Sequence, residues 1–152
     1  MKGYVSMKVV VQRVKNASVS IAGKEISSIG KGYLLLVGFS QSDTLEEAEY
    51  LANKIAKLRV FPDEADKMNL SIKDIGGAVL SVSQFTLYAD LKEGNRPSFT
   101  DCLDQTEAKV LYEKFLIMLG KSTGIIISNG VFGAMMEVKL TNDGPVTIIL
   151  ER

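Results

Sequence analysis

Histidine is absent from this chain of 152 residues, and cysteine occurs once. Without imidazole there can be no Ser-His-Asp or Cys-His catalysis, and the common zinc sites lose a principal ligand. If the chain is an enzyme, its proton transfers are handled by something else. A lone Cys102 cannot form an intrachain disulfide, which fits a reducing compartment and points to the cytoplasm. It stands in the polar stretch SFTDCLDQTE with no histidine to activate it, and reads as an incidental small residue. An excess of one charge is lacking too, since eighteen basic and eighteen acidic side chains cancel. No global positive field attracts nucleic acid, so any RNA contact must be local. No apolar run approaches membrane-spanning length. The opening MKGYVSMKVVVQRV moves straight into strand-like alternation, unlike a signal peptide.

What is present is enough for one core. At this length, 46% hydrophobic content makes a single domain the default expectation. Met7 to Val14 is apolar and β-branched, and ASVSIAGKEISSIGKG alternates apolar with polar residues about a Gly23-Lys24 turn, as in a meander or hairpin. Tyr33 to Phe39 is a continuous apolar run, short enough for a strand buried on both faces. From Thr44 to Leu58 the residues Leu45, Ala48, Leu51, Ala52, Ile55 and Leu58 follow helical spacing, with Asp43 and Glu46 as the predicted capping box. Gly76 and Gly77 supply a turn before a strand predicted over Ala78 to Tyr88. A second helix is predicted to start near Asp104, to present Ala108, Leu111, Phe115 and Leu119 on one face, and to stop at Gly120. Three β-rich pieces finish the chain, GIIIS, GAMMEVKL and PVTIILE, the last two separated by Thr141 to Gly144. The order predicts a single α/β domain whose sheet is strongly curved and barrel-like, with two main helices packed outside.

Two strings carry most of the functional information, SVSQFTLYAD at Ser81 to Asp90 and NDGPVTI at Asn142 to Ile148. Taken singly, each has an ordinary structural explanation. Alternation in the first puts Ser83 and Phe85 on one face of a strand and Gln84 and Thr86 on the other. In the second, Asp143-Gly144 is a turn signal and Pro145 can begin an edge strand. Together, in this order and at these distances from both ends, they resemble the D-aminoacyl-tRNA deacylase family, whose pattern includes an SQFTL segment and a C-terminal GPVT segment. Both are intact, as Ser83-Gln84-Phe85-Thr86-Leu87 and Gly144-Pro145-Val146-Thr147. VVVQRV, KIAKLRVF, KMNLS, GNRPSF and GVFGAMMEV extend the likeness over 7–152. Residues 1–6 lie outside it and read as an extension or alternative start, because Met7-Lys8 would itself make a typical family N-terminus. Asn95 departs from the pattern where a basic residue is common, and DCLDQT replaces a more alanine-rich, proline-containing stretch. These departures bear on loop shape and tRNA backbone contact, not on the reaction class.

The resemblance implies a D-tyrosyl-tRNA deacylase-like fold, a homodimer acting on the acceptor end of D-aminoacyl-tRNA, and no cofactor, metal, DNA or membrane partner. Ser83, Gln84, Phe85 and Thr86 form the implied catalytic segment, with the backbone N–H groups of Phe85 and Thr86 as oxyanion donors, each worth about 3 kcal/mol by analogy with other oxyanion holes. Thr86 as a nucleophile would need a neighbouring base. No histidine exists and no lysine lies in the segment, and the resemblance, read with that absence, implies assistance by the 2′-hydroxyl of the terminal adenosine in preference to a Thr86 acyl-enzyme. Gly144 and Pro145 are implied to form a Gly-cis-Pro unit that enters the active site of the opposite subunit and excludes L side chains. D side chains would then be broadly tolerated, and glycine would slip through. Arg13 matches the arginine that braces this unit, the alternative being a surface arginine at a strand end. Phe132, Gly133, Ala134 and Met136 match the segment enclosing the terminal adenine, with core packing as their alternative. The rival readings are a noncatalytic tRNA-end binding module, a synthetase-associated editing domain, and an unrelated hydrolase using Thr86 or Ser83 on a small ester.

Overall fold

The computed structural model describes residues 6–152, so most of the expected extension at 1–6 lies outside the described residues. One long strand organises the rest. β1 (Lys8–Ile21) pairs antiparallel with β8 (Glu137–Glu151) along one edge, while β3 (Gly32–Gly38) and then β2 (Lys24–Ile29) share the other. Parallel pairing extends the sheet from β3 to β6 (Ala78–Ser83) and on to β7 (Ile127–Asn129). Because β2 also touches β6 and β7, the sheet curls into a nearly closed barrel.

β1 changes which residues face which side part-way along. Its register against β8 slips between Gln12 and Val14 and again between Val14 and Asn16, and such irregularities re-aim the residues that follow. Val9 and Val11 therefore pack with Tyr33, Leu35, Val37 and Val79 against two helices. Val14, Ala17 and Val19 join Leu34, Leu80 and Val82 in a second cluster inside the curl. The helices α1 (Leu45–Lys57) and α2 (Gln105–Thr123) lie on the first face and bury Ala48, Leu51, Ala52 and Ile55 against Leu111, Phe115 and Leu119. A minor ladder joins β4 (Phe61–Pro62) to β5 (Met68–Leu70).

Several boundaries differ from the sequence reading, each for a local reason. The first turn is Ala22-Gly23, both at positive φ, not Gly23-Lys24, as a two-residue hairpin with the twist of its strands requires. The cap of α1 is Thr44 with Glu47, one residue beyond the Asp43-Glu46 pair. Asp43 is unavailable because its buried carboxylate accepts from the backbone N–H groups of Met7, at 3.0 Å, and Ser40. Gly120 does not stop α2. The helix continues to Thr123 and closes on Gly124, whose φ of 73° is the left-handed conformation that suits glycine. β6 ends at Ser83, and Phe85–Tyr88 form a 3₁₀ turn in place of the predicted strand. Finally, the two expected C-terminal strands are one. In β8 the four residues Asp143 to Val146 loop out opposite the single Arg13, and the ladder then resumes on the same partner. Asn142 closes this excursion by accepting from the Val146 N–H at 2.7 Å and donating to the Thr147 hydroxyl at 3.0 Å.

Candidate active site

Buried on both sides by β3 and β7, β6 carries the first signature string to the end of the sheet. Its last ladder partner is Val37, opposite Ser83, and the Gln84 N–H then donates to the Val37 carbonyl at 2.8 Å. Beyond it the chain tightens into the 3₁₀ turn, and the strand alternation expected for Ser83 to Thr86 gives way. Phe85 and Thr86 are exposed at the start of the turn, while Ser83 and Gln84 are half-buried. The Gln84 amide donates to the Thr86 hydroxyl, and the Phe85 ring meets Phe99 edge-on at 5.0 Å.

The first N–H groups of a helical turn have no partner within it. Those of Phe85 and Thr86 have none elsewhere among the described residues either. They form a pair of free donors at the mouth of the curl. No carboxylate or lysine stands on the turn itself. Tyr88, its last residue, is buried, and desolvation raises its phenol well above the ordinary range, so it stays protonated at working pH.

Arg13 is buried and is no surface residue. Its Nε donates to the Asp143 carbonyl at 3.0 Å, its Nη1 donates to the Val60 carbonyl at 2.5 Å, and the Asp143 carboxylate lies 3.5 Å from Nε. It therefore holds the residue just before Gly144-Pro145, whose peptide bond is cis. A Cβ at Gly144 would fall 2.8 Å from Val146 Cγ2 and 3.2 Å from Arg13 Nη2, and φ there is +134°, so only glycine fits. Both Gly144 and Pro145 are exposed.

The segment Phe132 to Met136 follows β7 and so lies near the end of β6. The Gly130 N–H donates to the Ser81 carbonyl at 3.2 Å, and Met136 lies so close over Gly130 that a Cβ there would be 2.5 Å from its sulfur. Phe132 is half-buried against Tyr112, ring centroids 5.9 Å apart, and Ala134 is half-buried while Gly133 is exposed. The Tyr112 hydroxyl shares a 2.9 Å hydrogen bond with Ser81. Motif reading gave Tyr112 no place at the site and placed Phe99 only within the string GNRPSF, because each becomes a neighbour of the site through the fold.

One group of predicted residues stays apart. Ser83 pairs with Val37 and Val37 with Val9, whereas Gly144 stands opposite Arg13, four residues further along β1. That is about 13 Å along the strands and three strand spacings, about 14 Å, across them. Within one chain the Gly-Pro unit and the Phe85–Tyr88 turn are remote from each other. A separate cleft of about 330 Å³ opens between α1 and α2, lined by Leu45, Leu103, Val110 and Leu111, and none of the predicted site residues borders it.

A curled α/β domain thus presents, just past the end of β6, two main-chain donors able to hold an oxyanion. Comparison with known proteins specifies the class. The sequence profile of the family described as D-Tyr-tRNA(Tyr) deacylase matches residues 10–151. A protein of Exiguobacterium sibiricum named D-aminoacyl-tRNA deacylase is 55% identical over 146 residues, 96% of this chain and 100% of that one. One of the same name from Bacillus licheniformis is 53% identical over 95% of this chain and 98% of its own length. Among solved structures, the c-Myc DNA unwinding element binding protein is 44% identical and superposes with a TM-score of 0.89, covering 95% of this chain and 98% of that chain. A probable eukaryotic D-amino acid tRNA deacylase superposes with a TM-score of 0.86 at 14% identity, a likeness of fold. This chain belongs to the D-Tyr-tRNA(Tyr) deacylase family and is an enzyme of the D-aminoacyl-tRNA deacylase type.

Proposed function

We propose that the protein hydrolyses the ester joining a D-amino acid to the terminal ribose of tRNA, releasing the D-amino acid in the cytoplasm, and that it rejects L-aminoacyl-tRNA. The observation that carries this reading is the pair of unpartnered N–H groups on Phe85 and Thr86, in a family whose members bear this activity in their names. The substrate is an activated ester, so stabilising the tetrahedral oxyanion is the main task. One such donor is typically worth about 3 kcal/mol.

The attacking water needs a proton acceptor, and the chain contains no histidine to serve. We assign that role to the 2′-hydroxyl of the terminal adenosine, which takes the water's proton as it passes its own to the departing 3′-oxygen, with Phe132, Gly133, Ala134 and Met136 around the adenine. Thr86 lies beside the donors, and among the described residues only Gln84 meets its hydroxyl, a contact that cannot activate it as a nucleophile. Thr86→Ala is therefore expected to retain near-normal deacylation.

Chiral selection comes from Gly144 and Pro145 of a second copy, placed as a wall where an L side chain would lie. The support is geometric. In one chain the unit is too distant to meet its own Phe85–Tyr88 turn, yet it is exposed and braced by a buried arginine. A homodimer resolves both facts. A wall that occupies the L direction tolerates any D side chain, and glycyl-tRNA should enter as well.

Incubating purified protein with D-tyrosyl-tRNA and L-tyrosyl-tRNA tests the reading. Release of D-tyrosine with the L substrate intact is the expected outcome; binding without release would leave a noncatalytic module instead.

A further inference from the structure

A 3₁₀ turn of four residues is too short to fix its own direction. The Phe85 and Thr86 N–H groups can act as paired donors only if something outside the turn aims them. The contacts that do so converge on Gly38 and Tyr88.

Gly38 is the last residue of β3, next to the Val37 that pairs with Ser83. The turn lies so close over it that a Cβ would sit 2.9 Å from Tyr88 Cε2, 3.0 Å from the Gln84 carbonyl oxygen and 3.4 Å from Leu87 Cδ1. Glycine is required at this position for space. Tyr88 closes the turn, and its ring fills the space that Gly38 leaves. Its hydroxyl is shared between the Gly38 carbonyl, at 3.1 Å, and the Ser6 carbonyl. Lys8 caps the other side of the ring, its Nζ 5.2 Å from the centroid. The Gln84 N–H is already held by Val37. Both ends of the turn, Gln84 and Tyr88, are thus anchored to consecutive residues of β3, and the two free donors lie between the anchors.

We propose that Gly38 and Tyr88 are positioning residues of the deacylase reaction, fixing the direction of the Phe85 and Thr86 N–H groups toward the developing oxyanion. This rests on the oxyanion reading given above. Gly38 belongs to neither signature string, and Tyr88 directly follows SQFTL within the Ser81 to Asp90 string. Displacing a preorganised group by about 1 Å can cost a reaction on the order of a hundred-fold in rate.

The test compares wild type, Tyr88→Phe and Gly38→Ala. Each is assayed for kcat and KM on D-tyrosyl-tRNA, for thermal stability, and for binding of two adenosine analogues. One carries a 3′-D-tyrosyl amide, a mimic of the ground state; the other carries a tetrahedral phosphonate, a mimic of the oxyanion. Tyr88→Phe is expected to lower kcat roughly ten-fold, in line with a hydrogen bond that matters mainly in the transition state. KM and amide binding should hold while the phosphonate weakens by the same factor as kcat. Gly38→Ala should show the same pattern with a larger loss. Unchanged kcat in folded Tyr88→Phe would overturn the proposal, and so would equal weakening of both analogues, which a general loosening of the fold produces. Should Gly38→Ala not fold, Tyr88→Phe alone decides, because it removes a single oxygen. Failure of the wild type to release D-tyrosine would instead sink the functional reading.

Discussion

Tyr33 shows how a single side chain can be fully buried for its ring alone. It is 0% exposed and packs on Phe61 at 5.2 Å between centroids, yet its hydroxyl has no hydrogen-bond partner among the described residues. Desolvation raises its phenol above the ordinary tyrosine value of 10.0 despite the nearby Arg13, and burial also raises Tyr88, and raises Tyr112 to about 12. A folded-state pKa above the unfolded value means that the folded form holds its proton longer. Stability is then fully present below about pH 10, where free tyrosine titrates, and is lost as pH rises through the folded values. Tyr33→Phe removes an orphaned hydroxyl and one of the three linked protons. It is expected to raise stability by about 1 kcal/mol and to make the alkaline decline shallower, as measured by urea unfolding across the alkaline range. A loss of stability would contradict this picture. The sequence offered no hint of it, because an apolar run such as YLLLVGF does not reveal which polar atom goes unpaired. Arg13 is the opposite case. Its likeness to the family marked it, and its burial with bonds to Asp143 and Val60 gives the physical reason.

At the scale of the element, both helices and most strands were legible from spacing, and the errors fell at ends. Asp43-Glu46 and Thr44-Glu47 satisfy the same capping pattern, and only the long-range capture of Asp43 by Met7 separates them. The 3₁₀ turn was hidden because FTLY reads equally well as a strand, and what bends it is the close approach of Gly38, far away in sequence. Gly120 looked like a helix stop because glycine commonly closes a helix. In fact it lies inside α2, where a Cβ would meet only the Ile125 carbonyl at 3.6 Å and Ile127 at 3.9 Å. Gly120→Ala is therefore expected to stabilise the protein by roughly 0.5–1 kcal/mol. At Gly124 the left-handed backbone reverses the sign, and Gly124→Ala should destabilise it by about 1 kcal/mol. Thermal melts of the two variants should move in opposite directions; a shared direction would put the helix end in the wrong place.

For the whole molecule, the order of β-rich and helical stretches was sufficient to foresee a curled sheet with two helices outside. The pairing of the first strand with the last was not foreseeable, since no local pattern encodes a contact across more than a hundred residues. That pairing fixes where the two signature strings lie. It carries SQFTL and Gly144-Pro145 on one sheet but leaves them remote, so the partnership proposed above requires a second chain. Among the described residues, no helix is long and apolar enough to cross a membrane.

A mixed dimer tests this division of labour directly. One subunit carries Phe85→Pro, which removes a donor N–H while suiting the first position of a helical turn. Its partner carries Arg13→Lys, which cannot reproduce the forked grip on Asp143 and Val60 and is expected to reduce D over L selectivity roughly ten-fold as a homodimer. If each wall serves the neighbouring subunit, the mixed dimer pairs the intact turn with the intact wall, and its residual activity should spare L-tyrosyl-tRNA as the wild type does. Cleavage of L-tyrosyl-tRNA by the mixed dimer at the relaxed ratio of the Arg13→Lys homodimer would mean that each chain guards its own site.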